Sequence, residues 1–424
     1  MNFQPENRQA SAGAVPVEPL MSERRVSIIG GLIVAIGPIS LALFTPAMPE
    51  IAHAFGTSEG AVKLTLSLYF AGFAFAQLFC GPLSDGFGRK PVTFAFMAIY
   101  LVASLIALLA PSIEVLIAAR FLQGVGAAVG VAISRAIVRD LFTHERSARI
   151  MNLIGIILAV GPAVAPTLGG LTMEFAGWHA IFGLMFLAGV AVMLVVRFAM
   201  RETVSRDLSR IRPGALIRSY GLLMSSGYFM TSSLIIAGTT GALYTLATVL
   251  PFILMERIGL SPSQFGFGML MQSGMYFLGS IAARYSMARI GAYRLVPIGL
   301  ACVGVGSVLV AVLPHVLPLT FLSVMGPIGI YAFGIAFVLP AMMTASLAPF
   351  PRIAGSASSM GGFMQMGAGL VGGTICAMIG DAVFAMSTVI PALGTIAIVS
   401  WLIWRRMPEP ALATAINPTP SGPA

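Results

Sequence analysis

Gly81-Pro82-Leu83-Ser84-Asp85-Gly86-Phe87-Gly88-Arg89-Lys90-Pro91 is a stretch of turn residues and charge set between two runs that carry almost no charge. A chain that reverses between two helices in so few residues needs glycine where its backbone turns, and Gly86 and Gly88 are expected to serve. Asp85, at the edge of an apolar run, is placed to accept hydrogen bonds from an arginine or from the N-terminus of a neighbouring helix. Such a pair can lock one conformation and release it. The same residues also suit a plain tight turn whose basic side chains reach for an interface. The flanking runs, Leu64–Leu83 and Val92–Ala110, are each long enough to cross a bilayer core of roughly 30 Å.

Working outward from this hairpin, ten further runs of the same kind appear. Before it lies Val26–Pro46; after it come Ile113–Arg135, Ile150–Thr172 and His179–Phe198. A break follows, and then Tyr228–Leu254, Gln264–Arg284, Tyr293–Leu313, Leu317–Ala341, Ala354–Ile379 and Ala382–Trp404. Composition agrees with the pattern. Of 424 residues 58% are hydrophobic and 9% charged, against about a quarter charged in an average soluble domain. The 47 Gly and 27 Pro fall inside long apolar runs, as is common in membrane helices. The expected fold class is an all-α integral membrane protein of twelve transmembrane helices in two six-helix bundles. Cys80, Cys302 and Cys376 show no ligand or disulfide spacing and read as small hydrophobes. Neither a metal site nor a cofactor is expected.

The net charge of +9 in a soluble chain would suggest nucleic acid. Mapped onto the spans it suggests orientation instead. Of the 24 Lys and Arg residues 21 fall on the side that holds both termini, only Lys63 and Arg257 fall on the other, and Arg120 lies within a span. The positive-inside rule then puts both termini in the cytoplasm. The expected organisation is a disordered cytoplasmic tail (1–25), an N-terminal bundle (26–198), a cytoplasmic linker (199–227), a C-terminal bundle (228–404) and a second tail (405–424). Gly214 to Ser225 in the linker admits a short surface helix. Thr45-Pro46-Ala47-Met48-Pro49 resembles Thr248-Val249-Leu250-Pro251 about 203 residues on, a weak internal repeat. Paired six-span bundles around a site near the midplane are the architecture of many secondary transporters.

Arg120 is the one charge deep inside a span. Such a residue costs at least about 2.5 to 3.5 kcal/mol on insertion scales and must face protein or water and find an acceptor. It either pins helices together through carbonyls or amides such as that of Gln77, or it binds substrate or influences a proton site. Span 5 carries Gly155, Gly161-Pro162, Pro166 and Gly169-Gly170. Small residues there allow close helix packing, and proline bends a helix.

The loop at residues 81–91 closely resembles the signature loop of the major facilitator superfamily. Leu116 to Ala128, around Arg120, is similar to that superfamily's arginine motif. Gly161, Pro162, Pro166 and Gly169 resemble the helix-bending motif of its drug-export branch. Ser134 to Phe142, Gly177-Trp178 through Phe182, and Ala348 to Ser358 look like segments of the bicyclomycin-resistance (Bcr/CflA) drug-efflux family. The resemblance covers about residues 26 to 405. It implies an inner-membrane exporter of small drugs or toxic metabolites, usually proton-coupled, with Asp85, Gly88, Arg89 and Arg139 as conformational lock.

One departure stands out. Family members commonly carry an acid in the first helix, and aligning Pro46 and Pro49 with the family's prolines puts Ala42 at that position. No Asp, Glu or His lies deep in any span, so coupling by protons is implied by the resemblance alone. Asp85 and Glu50 are the carriers to test first. Arg120, Gln77, Tyr69, Gln123 and Tyr244 are the substrate-binding or coupling candidates, since large polar tips in a dry interior need partners. One arginine without a carboxylate disfavours multiply cationic substrates. Partners are therefore a neutral to weakly anionic lipophilic compound, the bilayer and protons, with no nucleic acid. A carrier of a physiological solute such as a siderophore or sugar is the alternative. A membrane enzyme would be expected to show intramembrane acid-base or metal clusters, and these are missing from the sequence.

Overall fold

A computed structural model of the chain describes residues 20–211 and 213–408, and these are helical with no strand. The elements in order are α1 (Glu23–Phe44), a 3-10 turn (Thr45–Ala47), α2 (Met48–Ala54), α3 (Glu59–Phe87), α4 (Arg89–Leu108), α5 (Ile113–Ala127) and α6 (Val129–Leu141). Then follow α7 (His144–Ala199), a short 3-10 turn (Leu208–Arg210), α8 (Pro213–Ser225), α9 (Gly227–Pro251) and a π turn (Phe252–Arg257). The last are α10 (Pro262–Ile290), α11 (Ala292–Val316), α12 (Phe321–Leu347), α13 (Ala354–Ile379) and α14 (Ala382–Trp404).

Polar caps set most of the starts. Ser58, Ser226, Ser261 and Asp381 each accept a backbone N–H of the first turn of α3, α9, α10 and α14, satisfying donors the helix cannot satisfy itself. Among the described residues, ten helical segments are long and apolar enough to cross a membrane. The count falls short of twelve for two reasons. Spans 5 and 6 run together in α7, whose only non-helical residue is Gly177 at φ 76°. α10 covers expected span 8, but Gln264, Gln272, Arg284 and Arg289 dilute its apolar character. α5 and α6 together form span 4.

Two expectations shift. The first helix starts at Glu23, Met21 is buried, and Arg25 Nε donates to the Ala199 carbonyl at 2.6 Å. Met21 and Arg25 are thus tied to the bundle while Leu20, Ser22 and Arg24 stay exposed, and residues 1–19 of the expected tail lie outside the described residues. Gly86 belongs to the last turn of α3, so Gly88 alone makes the reversal.

Packing organises the helices around two contacts. Within α1–α7, α1 lies on α7 and α3 on α5; within α9–α14, α9 lies on α13 and α14, and α11 on α12. The two sets meet chiefly where α3 packs on α13 and α7 on α10. The resembling segments at Thr45 and Thr248 both run into irregular turns, 3-10 and π respectively, and the first packs against α9. The ends of the bundle that carry the α3–α4 turn and α8 are called the basic face below. The opposite ends are the far face.

Candidate functional site

At the basic face the α3–α4 reversal is built from charge. Gly88 sits at φ 102°, ψ 152°, a region that side chains other than glycine's avoid. The Arg89 guanidinium is buried and contacts Asp85 at 2.5 Å, Asp140 Oδ2 at 3.0 Å and Ser84 Oγ at 2.6 Å. The carboxylate of Glu202 accepts the backbone N–H groups of Arg89 at 2.8 Å and Lys90 at 3.0 Å, occupying the N-terminus of α4. Asp85, Gly88 and Arg89 are therefore brought together in this turn. Arg139 stands exposed on α6, and its neighbour Asp140 is the residue that takes Arg89. Sequence reasoning missed Asp140 and Glu202, because an ion pair across three helices leaves no local spacing signal.

Two results follow for this turn. Gly88→Ala should cost about 1 to 3 kcal/mol through its backbone alone, and the added Cβ would lie 2.7 Å from Glu202 Oε2. Thermal unfolding of the purified protein should show a midpoint several degrees lower, and an unchanged midpoint would contradict the geometry. Asp140→Asn leaves the buried Arg89 with Asp85 as its one carboxylate, and transport should fall by about tenfold, as the loss of one charge-assisted hydrogen bond implies. Asp140→Glu should retain part of it.

Deeper in, α3 and α5 cross so closely that glycine is required on both. A Cβ at Gly124 would fall 2.9 Å from Phe73 N, and one at Gly72 would lie 3.0 Å from Val125 N. The crossing brings Tyr69 to Arg120. Arg120 is 0% exposed. Its guanidinium lies 4.4 Å from the centroids of both the Phe44 and the Tyr69 rings, a cation–π clamp that partly replaces lost hydration. Its Nη1 donates to Gln123 Oε1 at 2.8 Å, and Gln123 Nε2 donates to Ser104 Oγ at 2.8 Å. Around this core the Tyr69 hydroxyl donates to the Gly37 carbonyl at 2.8 Å, and Ser40 and Tyr100 share a hydrogen bond of 2.5 Å. The amide that engages Arg120 is thus Gln123 and not Gln77.

Gln77 and Tyr244 form a separate group on the contact between the two helix sets. The Gln77 amide lies against Gly362 of α13, and its Oε1 has no partner. The Tyr244 ring lies 5.3 Å from that of Phe70, tilted by 41°, and both border Gly369. Since Tyr69 and Phe70 are adjacent on α3, the arginine cluster and this contact lie one side chain apart. Ala42 is buried, Glu50 is exposed on α2, and Asp85 is held by Arg89. Of the expected bending motif, Gly169 packs on Leu43 and Pro46 of the first span. The Pro166 carbonyl and Thr167 lie against Gly266, and the Thr167 hydroxyl donates to the Gly266 carbonyl at 3.1 Å. The α7 backbone is helical through Gly161, Pro162 and Pro166; the Pro162 side chain lies outside the described residues.

Two sets of ties flank the polar interior. At the far face, Lys63 is 0% exposed and donates to Glu59 Oε2 at 2.8 Å and to the Gly380 carbonyl, beyond the C-terminus of α13, at 2.9 Å. It also lies 5.0 Å from the Phe252 ring. His53 and Glu256 approach to 3.6 Å, and Arg257 and Asp381 to 3.1 Å. At the basic face Arg135 donates to Ser358 Oγ at 2.7 Å, and the Tyr220 hydroxyl of α8 to the Leu78 carbonyl at 2.7 Å. Burial pushes the Tyr220 phenol up to about 12, so it stays a donor near neutrality. Lys63 was legible only as one of two basic residues at that end; its i, i+4 spacing from Glu59 was the one available signal. Two apolar clefts of about 500 Å³, one around Gly304 and Trp401 and one around Phe175 and Leu187, include none of these polar groups.

Residues 30–373 match the model of the Major Facilitator Superfamily. The chain is 30% identical to the MFS-type transporter YdgK of Bacillus subtilis, over 82% of this chain and 87% of that one. It is 28% identical to a bicyclomycin resistance protein homolog of Haemophilus influenzae, over 86% and 90%. It is 25% identical to multidrug resistance protein D of Escherichia coli, over 88% and 93%. Among solved structures, a D-xylose-proton symporter is similar with a TM-score of 0.72 at 13% identity, covering 91% of this chain and 98% of that one.

Proposed function

The chain belongs to the major facilitator superfamily, and from that premise we propose that it is a secondary transporter exporting small drugs or toxic metabolites by alternating access. The observation that carries this reading is the contact between the two helix sets. Charged ties stand at both of its ends, and polar and aromatic groups (Gln77, Phe70, Tyr244) stand in between. α1–α7 and α9–α14 act as the two bundles, with residues 199–227 as the linker. Breaking the far-face ties around Lys63 while keeping those around Arg135, and the reverse, would expose the interior to one side at a time.

Orientation follows from the basic residues: the basic face is cytoplasmic, both termini lie there, and the membrane is a bacterial inner membrane. Relatives named for bicyclomycin and multidrug resistance support drugs as the substrate class. Substrates are neutral to weakly anionic and lipophilic, since the interior offers a cation without a carboxylate. Export is coupled to protons, with Asp85 and Glu50 as the carriers to test first. At the basic face Asp85, Arg89 and Arg139, with Gly88 making the turn, act as the lock.

The test is expression in a pump-deficient host. The chain should raise resistance to members of a neutral and zwitterionic compound panel, and collapse of the proton gradient should abolish the gain. Resistance that survives collapse removes the antiport, and no phenotype across the panel favours a physiological solute.

A further inference from the structure

Arg120 shows one feature that its packing does not use. The guanidinium has two faces and two edges. Phe44 and Tyr69 cover the faces, and Gln123, itself oriented by Ser104, takes the Nη1 edge. The other edge, made of Nε and Nη2, is buried and has no hydrogen-bond partner. Those two N–H groups project in parallel from one side of a planar group, the fork that engages a carboxylate through both oxygens. Nearby hydroxyls are already committed, Tyr69 to Gly37 and Tyr100 to Ser40. No acidic side chain pairs with Arg120 among the described residues. The chain thus holds a desolvated cation whose unpaired edge has the geometry and charge for one monovalent, two-oxygen anion, and a neutral group of the same shape would leave the charge uncompensated.

We propose that the Nε/Nη2 edge of Arg120 is a carboxylate-recognition site, which makes carboxylate-bearing lipophilic compounds a preferred substrate class. The proposal rests on the exporter reading, since it assigns the carboxylate to the transported compound. Entry requires the Tyr69 ring to move. That ring stands between Arg120 and the Phe70–Tyr244 contact of the two helix sets. Gln123 and Ser104 are positioning residues that fix the plane of the guanidinium.

The test uses full-length protein purified in detergent, with its thermal midpoint followed by tryptophan fluorescence; Trp178 lies 6.1 Å from Phe182, which in turn packs on Phe44. Benzoate should stabilise the protein saturably and bind at least about tenfold more tightly than benzamide, its neutral counterpart. Arg120→Gln should lose the benzoate response. Arg120→Lys, a point charge without a fork, should bind benzoate about tenfold more weakly or worse. Equal responses to benzoate and benzamide in the unmodified protein overturn the site, whether or not the variants fold. An equal response to sodium chloride, measured against sucrose of matched osmolarity, identifies a free inorganic anion and overturns the carboxylate assignment. Because binding in detergent does not require transport, benzoate binding without drug resistance overturns the exporter reading alone. Resistance without discrimination between benzoate and benzamide overturns this site alone.

Discussion

Arg120→Met is expected to abolish export while the protein accumulates in the membrane at normal abundance. Methionine is an unbranched side chain of comparable reach, so the space between Phe44 and Tyr69 stays filled. What is lost is the charge and the free Nε/Nη2 edge. A hydrogen bond to a charged group contributes about 1.5 to 3 kcal/mol, so removing a two-bond fork should lower transport by about 100-fold or more. Arg120→Lys retains the charge but not the planar geometry and should be nearly as inactive. The fold should tolerate Arg120→Met, which removes a desolvated charge that has no ionic partner, and Arg120→Lys, which keeps a cation between the same two rings. Accumulation assays on membranes matched for protein content measure the effect, and transport retained by either variant would reject a functional role for Arg120.

Lys63→Met should open the far face. Lys63 joins α3 to the carbonyl of Gly380 beyond α13, and it lies close to the Phe252 ring of the π turn, so it ties three elements from both helix sets. At the C-terminus of α13 its charge also meets the negative end of the helix dipole. Without it, Glu59 loses its own cation while standing beside Glu256. Losing one charge-assisted bond shifts the balance between shut and open forms by about 1.5 to 3 kcal/mol, or about tenfold to a hundredfold. Cys376 supplies a native reporter, since it is fully buried on α13 one turn before Gly380. With Cys80 and Cys302 replaced by serine, a membrane-impermeant maleimide added outside intact cells should label Cys376 at least about tenfold faster in the Lys63→Met background. An unchanged labelling rate, with full labelling after denaturation, would refute the latch.

Much of this architecture is visible in the sequence, and the reasons differ from element to element. α13 and α14 begin and end at the expected residues because Gly380 and Asp381 combine a positive-φ break with an N-cap between two apolar runs. α12 starts at Phe321, four residues later than hydropathy suggests, since Pro318 and the Thr320–Ser323 capping box fix its first turn. Hydropathy registers apolar content but not capping. The turn at Gly177 occupies one residue, so two expected spans become arms of one helix in α7.

The candidate site divides along similar lines. Arg120, Gln123 and Tyr69 were identifiable because a large polar group in an apolar run needs a partner, and they do converge. Gln77 and Tyr244 met the same criterion but belong to the contact between the helix sets. Polarity says that a side chain needs a partner, but not which helix supplies it. Asp140, Glu202 and Gly380 were beyond reach for that reason. Each acts on a residue more than 50 positions away in sequence.

The central proposal, proton-coupled export of drugs that bind in the interior around Arg120, is tested most directly in proteoliposomes containing the purified chain and given an acidic lumen. The expected result is accumulation of a resisted compound inside the vesicles, against its gradient and in exchange for protons. Accumulation should cease when an ionophore collapses the pH difference and when Arg120→Met replaces the unmodified protein. Uptake no greater than in protein-free vesicles, or uptake indifferent to both the ionophore and the substitution, would contradict it.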